Sequence, residues 1–183
     1  MRRYYHGTNM IFGDIDINLC RLRTDFGKGF YIGTNLGVSR EWAKSQSMKH
    51  EVPTVIRFVL SKVIFDLNDK ALERCWFSSP SVDWLNFVRD NRRIISQDLP
   101  VKEPRHDFDI VYGPIANDKV VDVVDEYIDG IISADEAIHR VKVIKSVYQI
   151  RFHTPMALTY IEHSLTDYQQ CISGNKWTEW KKL

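Results

Sequence analysis

Cysteine is scarce in this chain. Cys20, Cys75 and Cys171 are odd in number, far apart, and form neither a CxxC pair nor a Cys/His pair. That excludes a disulfide framework and gives no support to a structural zinc site. No apolar run approaches the roughly 18 residues a membrane helix needs. The first residues, Met1-Arg2-Arg3-Tyr4-Tyr5-His6, carry no apolar leader segment after the arginines, so the expectation is a cytoplasmic protein. Charge of one sign is lacking too: the formal net charge is +1, which removes the basic body that argues for nucleic-acid binding. There is no GxxxxGK[ST] loop, no GxGxxG after a strand, no HExxH and no GxSxG. The six histidines are not spaced as metal ligands, and no metal is expected. Repeats, low-complexity stretches and long linkers are absent as well.

What is present is an ordinary globular composition, 44% hydrophobic and 27% charged over 183 residues, enough for one domain with a substantial core. Arg3–Gly7 and Gly29–Thr34 read as strands, followed by a helix around Val38–Lys44 capped by Thr34-Asn35. Pro53–Leu60 is a β-branched strand, and Val63–Leu67 reads as its continuation or partner. Asp69 is expected to cap a helix through Trp76, and a second helix runs from Val82 to Ile95. Asp107–Tyr112 reads as a strand stopped by Gly113-Pro114. Asn117-Asp118 opens a helix through about Ile128. Ser133 and Glu136 have capping-box spacing for a helix ending near Val143. Val147–Phe152 is a further strand, Thr154–Tyr160 is extended or helical, and residues 174–183 form a polar tail with Trp177 and Trp180, as free to dock a partner as to fold back onto the body. Strands first, helices in the middle and strands again late give an α+β class in a single domain spanning 1–183, with 68–106 a largely helical insertion. Arg89, Arg92 and Arg93 read as a solvated helix face.

Four motifs carry the chemistry. They are Tyr5-His6-Gly7-Thr8, Asp25-Phe26-Gly27-Lys28-Gly29-Phe30-Tyr31, Tyr112-Gly113-Pro114-Ile115-Ala116-Asn117-Asp118 and Gln149-Ile150-Arg151-Phe152-His153-Thr154. Glycines flanking a lysine suit a loop whose backbone approaches a ligand, and the aromatic after it offers a flat face. The third motif also has a sufficient account as a turn and helix cap.

Together, and in this order, these stretches resemble the diphtheria-toxin and poly(ADP-ribose) polymerase branch of the ADP-ribosyltransferase superfamily. The whole chain is similar to an uncharacterised bacterial group within that branch. The resemblance implies a split antiparallel β-sheet core and transfer of ADP-ribose from NAD⁺ through an oxocarbenium-like transition state. It implies His6, Tyr31 and Gln149 as catalytic residues, and His6, Gly7, Thr8, Lys28, Gly29, Phe30, Tyr31 and Thr34 as contacts to NAD⁺ as co-substrate. His6 would bond the adenosine ribose, the Gly7 backbone the nicotinamide carboxamide, and Tyr31 would stack on the nicotinamide ring. Lys28, Arg21 or Arg23 would face the pyrophosphate. Gln149 stands where that branch usually has a glutamate that accepts from the nicotinamide-ribose 2′-OH. A neutral amide still accepts, and on this reading Gln149→Glu should preserve or raise turnover. The activity implied is mono-ADP-ribosylation of a macromolecule (protein or nucleic acid) by a bacterial toxin paired with a small antitoxin. Two alternatives stand beside it: an inactive NAD⁺ or ADP-ribose-binding module of the same fold, and an RNA 2′-phosphotransferase-like enzyme, against which the near-neutral charge counts.

Overall fold

A computed structural model of the chain describes residues 3–22, 24–92, 108–116, 118–142, 147–161 and 165–183. The elements in order are β1 (Arg3–Thr8), β2 (Phe30–Gly33), α1 (Leu36–Gln46), β3 (Thr54–Val59), β4 (Arg74–Trp76), α2 (Val82–Arg92) and β5 (Ile110–Pro114). Then follow α3 (Asp118–Ile128), α4 (Ala134–Lys142), β6 (Tyr148–Phe152), α5 (Pro155–Thr159), β7 (Leu165–Ser173), β8 (Lys176–Trp177) and β9 (Lys181–Lys182). The strands form a nine-stranded sheet in the order β4-β5-β6-β2-β1-β3-β7-β8, with β9 also on β7. Every pairing is antiparallel except β4 with β5. This is a mixed α/β architecture on a mostly antiparallel sheet.

Alternation along the central strands sends side chains to opposite faces. Phe30, Ile32, Ile150 and Phe152 join Tyr4, Ile56, Phe58 and Ile110 in one core, which α5 closes through Ala157 and Leu158. On the other face Phe26 and Val111 meet Trp84, Leu85 and Val88 of α2, Val120 and Val124 of α3, and Ala137, Ile138 and Val141 of α4. The caps behave as their chemistry dictates. The Asn35 side chain accepts from the Val38 amide at 3.1 Å, and Ser133 Oγ accepts from the Glu136 amide at 3.2 Å. The Glu136 carboxylate does not return the bond; it pairs with Arg140 one turn on, at 2.7 Å.

Several expectations are corrected. Residues 62–65 form a 3-10 turn, not a strand, begun by Ser61 Oγ accepting from the Val63 amide. No helix runs from Asp69 to Trp76. Arg74 turns back on its own loop, donating to the carbonyls of Asp69, Leu72 and Ile64 and to the Asp69 carboxylate, and residues 74–76 join the sheet beside β5. The stretch 68–106 is therefore not helical throughout. Its described helix is α2, and Arg93, Ile95 and the rest of 93–106 lie outside the described residues, as does Asn117. β5 runs through Gly113-Pro114 rather than stopping there. The polar tail is not free: β8 and β9 pair with β7. The Arg57 guanidinium lies 4.4 Å from the Trp180 ring centroid, and Arg40 lies 5.1 Å from that of Trp177. No helix among the described residues is long and apolar enough to cross a membrane.

Candidate functional site

β1 and β2 share a single ladder pair, Tyr5 with Gly33. Beyond it, β1 stays with β3 along its whole length, and β2 stays with β6 from Phe30 to Gly33. The sheet is thus two halves joined at one point and diverging from Tyr5 onward. A cavity of about 910 Å³ opens at the divergence, within the range that encloses a nucleotide-sized ligand. His6 spans the gap, with Nδ1 2.6 Å from the Tyr31 carbonyl oxygen. A carbonyl only accepts, so Nδ1 carries the proton and Nε2 is left as an acceptor. The ring stacks on Phe30 at 4.5 Å and meets the edge of Phe12 at 5.6 Å.

Burial pushes the His6 pKa down to about 4, against the opposing pull of the Tyr31 carbonyl. The unfolded chain, with an ordinary value near 6.5, therefore binds the extra proton first. The stability His6 contributes is complete above about 6.5 and is lost as pH falls toward about 4. In urea titrations the wild-type midpoint should drop across that window, and His6→Asn should flatten the drop. An equal drop in both proteins would remove His6 as its source.

The second motif forms a loop that the fourth motif grips. On β6 the odd residues Gln149 and Arg151 share one face and both reach this loop, as does His153 just past the strand. The Gln149 amide nitrogen donates to Asp25 Oδ2 at 2.9 Å. The Arg151 guanidinium donates to the Phe26 carbonyl and, at 2.7 Å, to that of Phe108. His153 Nδ1 lies 2.7 Å from the Lys28 carbonyl. Within the loop, Thr24 Oγ1, the Tyr31 hydroxyl and the Gly27 carbonyl lie 2.5–2.7 Å apart, and Gly27 sits at φ 79°, where glycine is favoured. Burial holds the Tyr31 hydroxyl well above its usual pKa, so it stays protonated and remains a donor. Tyr31 is on the cavity wall, and Phe26 stacks on its ring at 6.3 Å.

The third motif closes on the same loop. A Cβ on Gly113 would come within 2.9 Å of the Phe26 ring, and the Ala116 amide donates to Asp25 Oδ2 at 2.9 Å. Arg92, at the end of α2, donates to Asp25 Oδ1 from Nη2 at 2.7 Å and from Nε at 3.2 Å. Asp25 is 7% exposed and is the point at which three of the four motifs meet.

His6, Gly7, Thr8, Gly29, Phe30, Tyr31 and Gln149 all line the cavity. Lys28 and Thr34 are not on its wall. Thr34 ties β2 to β6 instead, its Oγ1 donating to the Tyr148 carbonyl at 3.0 Å. Arg21 is on the wall, near the Trp42 ring, and Arg23 lies outside the described residues. Arg92 overturns its reading as part of a solvated face, since it turns inward to Asp25. Two of the glycines also have a reason within the protein itself. A Cβ on Gly7 would lie 2.2 Å from the Ser39 carbonyl oxygen of α1, and one on Gly29 would lie 2.7 Å from Arg151 Cγ and the Phe152 carbonyl oxygen. Both glycines admit protein backbone. Asp25 and Arg92 escape sequence reasoning, and the available signal is the acidic residue heading an otherwise apolar and glycine-rich motif. Among the described residues no group of His, Cys, Asp or Glu is placed to hold a metal. Cys20 lines the cavity with its thiol pKa pushed up by burial, which disfavours a reactive thiolate.

No curated protein and no solved structure matches the chain. A family model described as "Protein of unknown function (DUF3990)" matches residues 3–163, most of the chain and all four motifs. The chain belongs to the DUF3990 family.

Proposed function

We propose that the protein is a mono-ADP-ribosyltransferase that cleaves NAD⁺ and transfers ADP-ribose to a macromolecule. The observation that carries this reading is the divergence of β1 from β2 with His6 bridging it, over a cavity walled by His6, Tyr31 and Gln149. In the reaction His6 Nε2 accepts from a hydroxyl of the adenosine ribose. Tyr31 presents its ring to nicotinamide, a contact of about 0.5–1.5 kcal/mol beyond area burial. Gln149 Oε1 accepts from the 2′-OH of the nicotinamide ribose as the glycosidic bond to nicotinamide breaks and positive charge grows on the sugar. The acceptor's nucleophile then takes the anomeric carbon and loses its proton. The resemblance carried by the four motifs supports a toxin role with a small antitoxin partner as part of the same proposal.

Incubation with NAD⁺ labelled in the adenine should release nicotinamide and leave label on protein or nucleic acid. His6→Ala and Tyr31→Ala should each lower release by roughly 10²-fold or more, the scale for removing one preorganised contact. Tyr31→Phe, which keeps the ring, should cost less. Release that survives both alanine variants would overturn the assignment. One observation favours the alternative of an NAD⁺ or ADP-ribose-binding module without transfer. Gln149 is neutral and the Asp25 charge beside it is matched by Arg92, so no uncompensated anion faces the sugar. Calorimetric binding of NAD⁺ with no nicotinamide released would establish that reading.

A further inference from the structure

We propose that Asp25 is a positioning residue that locks the Gln149 amide with its oxygen toward the cavity, making this wall an obligate hydrogen-bond acceptor for a hydroxyl-bearing ligand. Only the ligand's identity rests on the function proposed above.

Both residues are buried, Asp25 at 7% and Gln149 at 9% exposure. Four donors converge on the carboxylate. Arg92 fills Oδ1 with two nitrogens, and the Ala116 amide and Gln149 Nε2 share Oδ2, each at 2.9 Å. A carboxylate has no proton to offer, so only the nitrogen of the Gln149 amide can face it. Turning the amide over would set oxygen against oxygen and discard a charge-assisted bond. Gln149 Oε1 has no hydrogen-bond partner among the described residues, and Gln149 lines the cavity. Arg92 supplies the counter-charge from α2 and is itself shared with Asp125 at 3.3 Å, so the orientation of Gln149 depends on how α2 docks.

This reverses the expectation for Gln149→Glu. Glutamate there would place a second carboxylate at hydrogen-bond distance from Asp25, and two such groups cannot both ionise freely. Asp25→Asn errs in the opposite sense. With its oxygen kept on Arg92, the asparagine NH₂ meets both the Ala116 amide and the Gln149 NH₂; the Ala116 amide loses its acceptor, a loss the double variant below shares, and Gln149 turns over and shows the cavity a donor. Combining Asp25→Asn with Gln149→Glu exchanges the two groups. The asparagine donates, the glutamate accepts, and a free acceptor oxygen again faces the cavity.

The first test needs no ligand. In full-length protein labelled with ¹⁵N-glutamine, the Gln149 side-chain NH₂ is assigned by its loss in Gln149→Met. It should exchange with water at least about tenfold more slowly than a free glutamine amide, because it is buried and bonded to an anion. Asp25→Asn should abolish that protection. Free-amide exchange in the wild type, or protection unchanged by Asp25→Asn, overturns the proposal. The second test reads turnover as nicotinamide released from NAD⁺. Each single variant should lose at least about tenfold in kcat, and the double variant should recover to within about tenfold of wild type. A double variant no better than the worse single one overturns the positioning role, since a merely structural ion pair would not be rescued by exchanging donor for acceptor. If wild type releases no nicotinamide, the transferase reading fails, and amide exchange alone decides the role of Asp25.

Discussion

Gly7→Ala is expected to lower folding stability by about 2–4 kcal/mol, with Gly13→Ala as a silent control. The new methyl carbon would lie 2.2 Å from the Ser39 carbonyl oxygen and 3.0 Å from the Ala43 nitrogen. Both are backbone atoms, so no rotamer change relieves the clash. α1 must lift from β1 by more than an ångström to reach ordinary contact. That lift breaks the tight seat made by Ser39, whose Oγ lies 3.3 Å from the Tyr5 carbonyl, and by Ala43, which is fully buried. It also moves Val38, Trp42 and Gln46, which form part of the cavity wall, so ligand affinity falls together with stability. At Gly13 a Cβ meets nothing within 4 Å. An unfolding free energy for Gly7→Ala within about 0.5 kcal/mol of wild type, from urea titrations at unchanged m-value, would mean that α1 does not rest on the Gly7 backbone.

How much of this was legible in the sequence depended on whether the deciding force is local. Strands β1, β2, β3 and β6 and helices α1, α3 and α4 carry their own signals, which are β-branched runs, capping side chains and one apolar face. β7 hides because its buried positions are polar. Asp167 and Gln169 are 4% and 1% exposed, the Asp167 carboxylate accepting from Arg57 and the Gln169 side-chain oxygen from Arg40, both on other elements, so no apolar alternation marks the strand. β4 hides because three residues beside a parallel partner have no local pattern to show. At the site, His6, Tyr31 and Gln149 stand out as motif residues. The Asp25–Arg92 pair bridges 67 positions of sequence, and nothing in the spacing around either residue announces it. The motifs themselves were visible, but one physical reason for them was not: Tyr31, Gln149, Arg151 and His153 hold the Asp25–Gly29 loop with their side chains.

That hold on the loop makes Arg151 the sharpest structural test. Its side chain is fully buried, and burial lowers its pKa to about 10, so at neutral pH it is still a cation enclosed in protein. A buried charge is costly unless bonded. Here it donates to the carbonyls of Phe26 and Phe108, one in the loop that leads into Tyr31 and the other just before β5. Arg151→Met keeps an apolar stem of similar length and removes the donors. Each carbonyl left buried without a partner costs about 1–3 kcal/mol. The relief of no longer burying a guanidinium offsets part of that, so the expected net loss is about 2–4 kcal/mol. The loss should not be spread evenly over the molecule. Amide hydrogen exchange should speed first in residues 24–31, the segment whose carbonyls Arg151 and His153 hold, while β3 and β7 retain their protection until global unfolding. Arg151→Lys should fall between the two, since one ammonium on a flexible stem cannot span both carbonyls with the geometry of a guanidinium. If Arg151→Met melts with wild type, or if its exchange rises uniformly across the sheet, then the loop is held by its other bonds, those from Tyr31, Thr24, Gln149, His153 and Arg92, and the Arg151 guanidinium does not organise the platform beside the cavity.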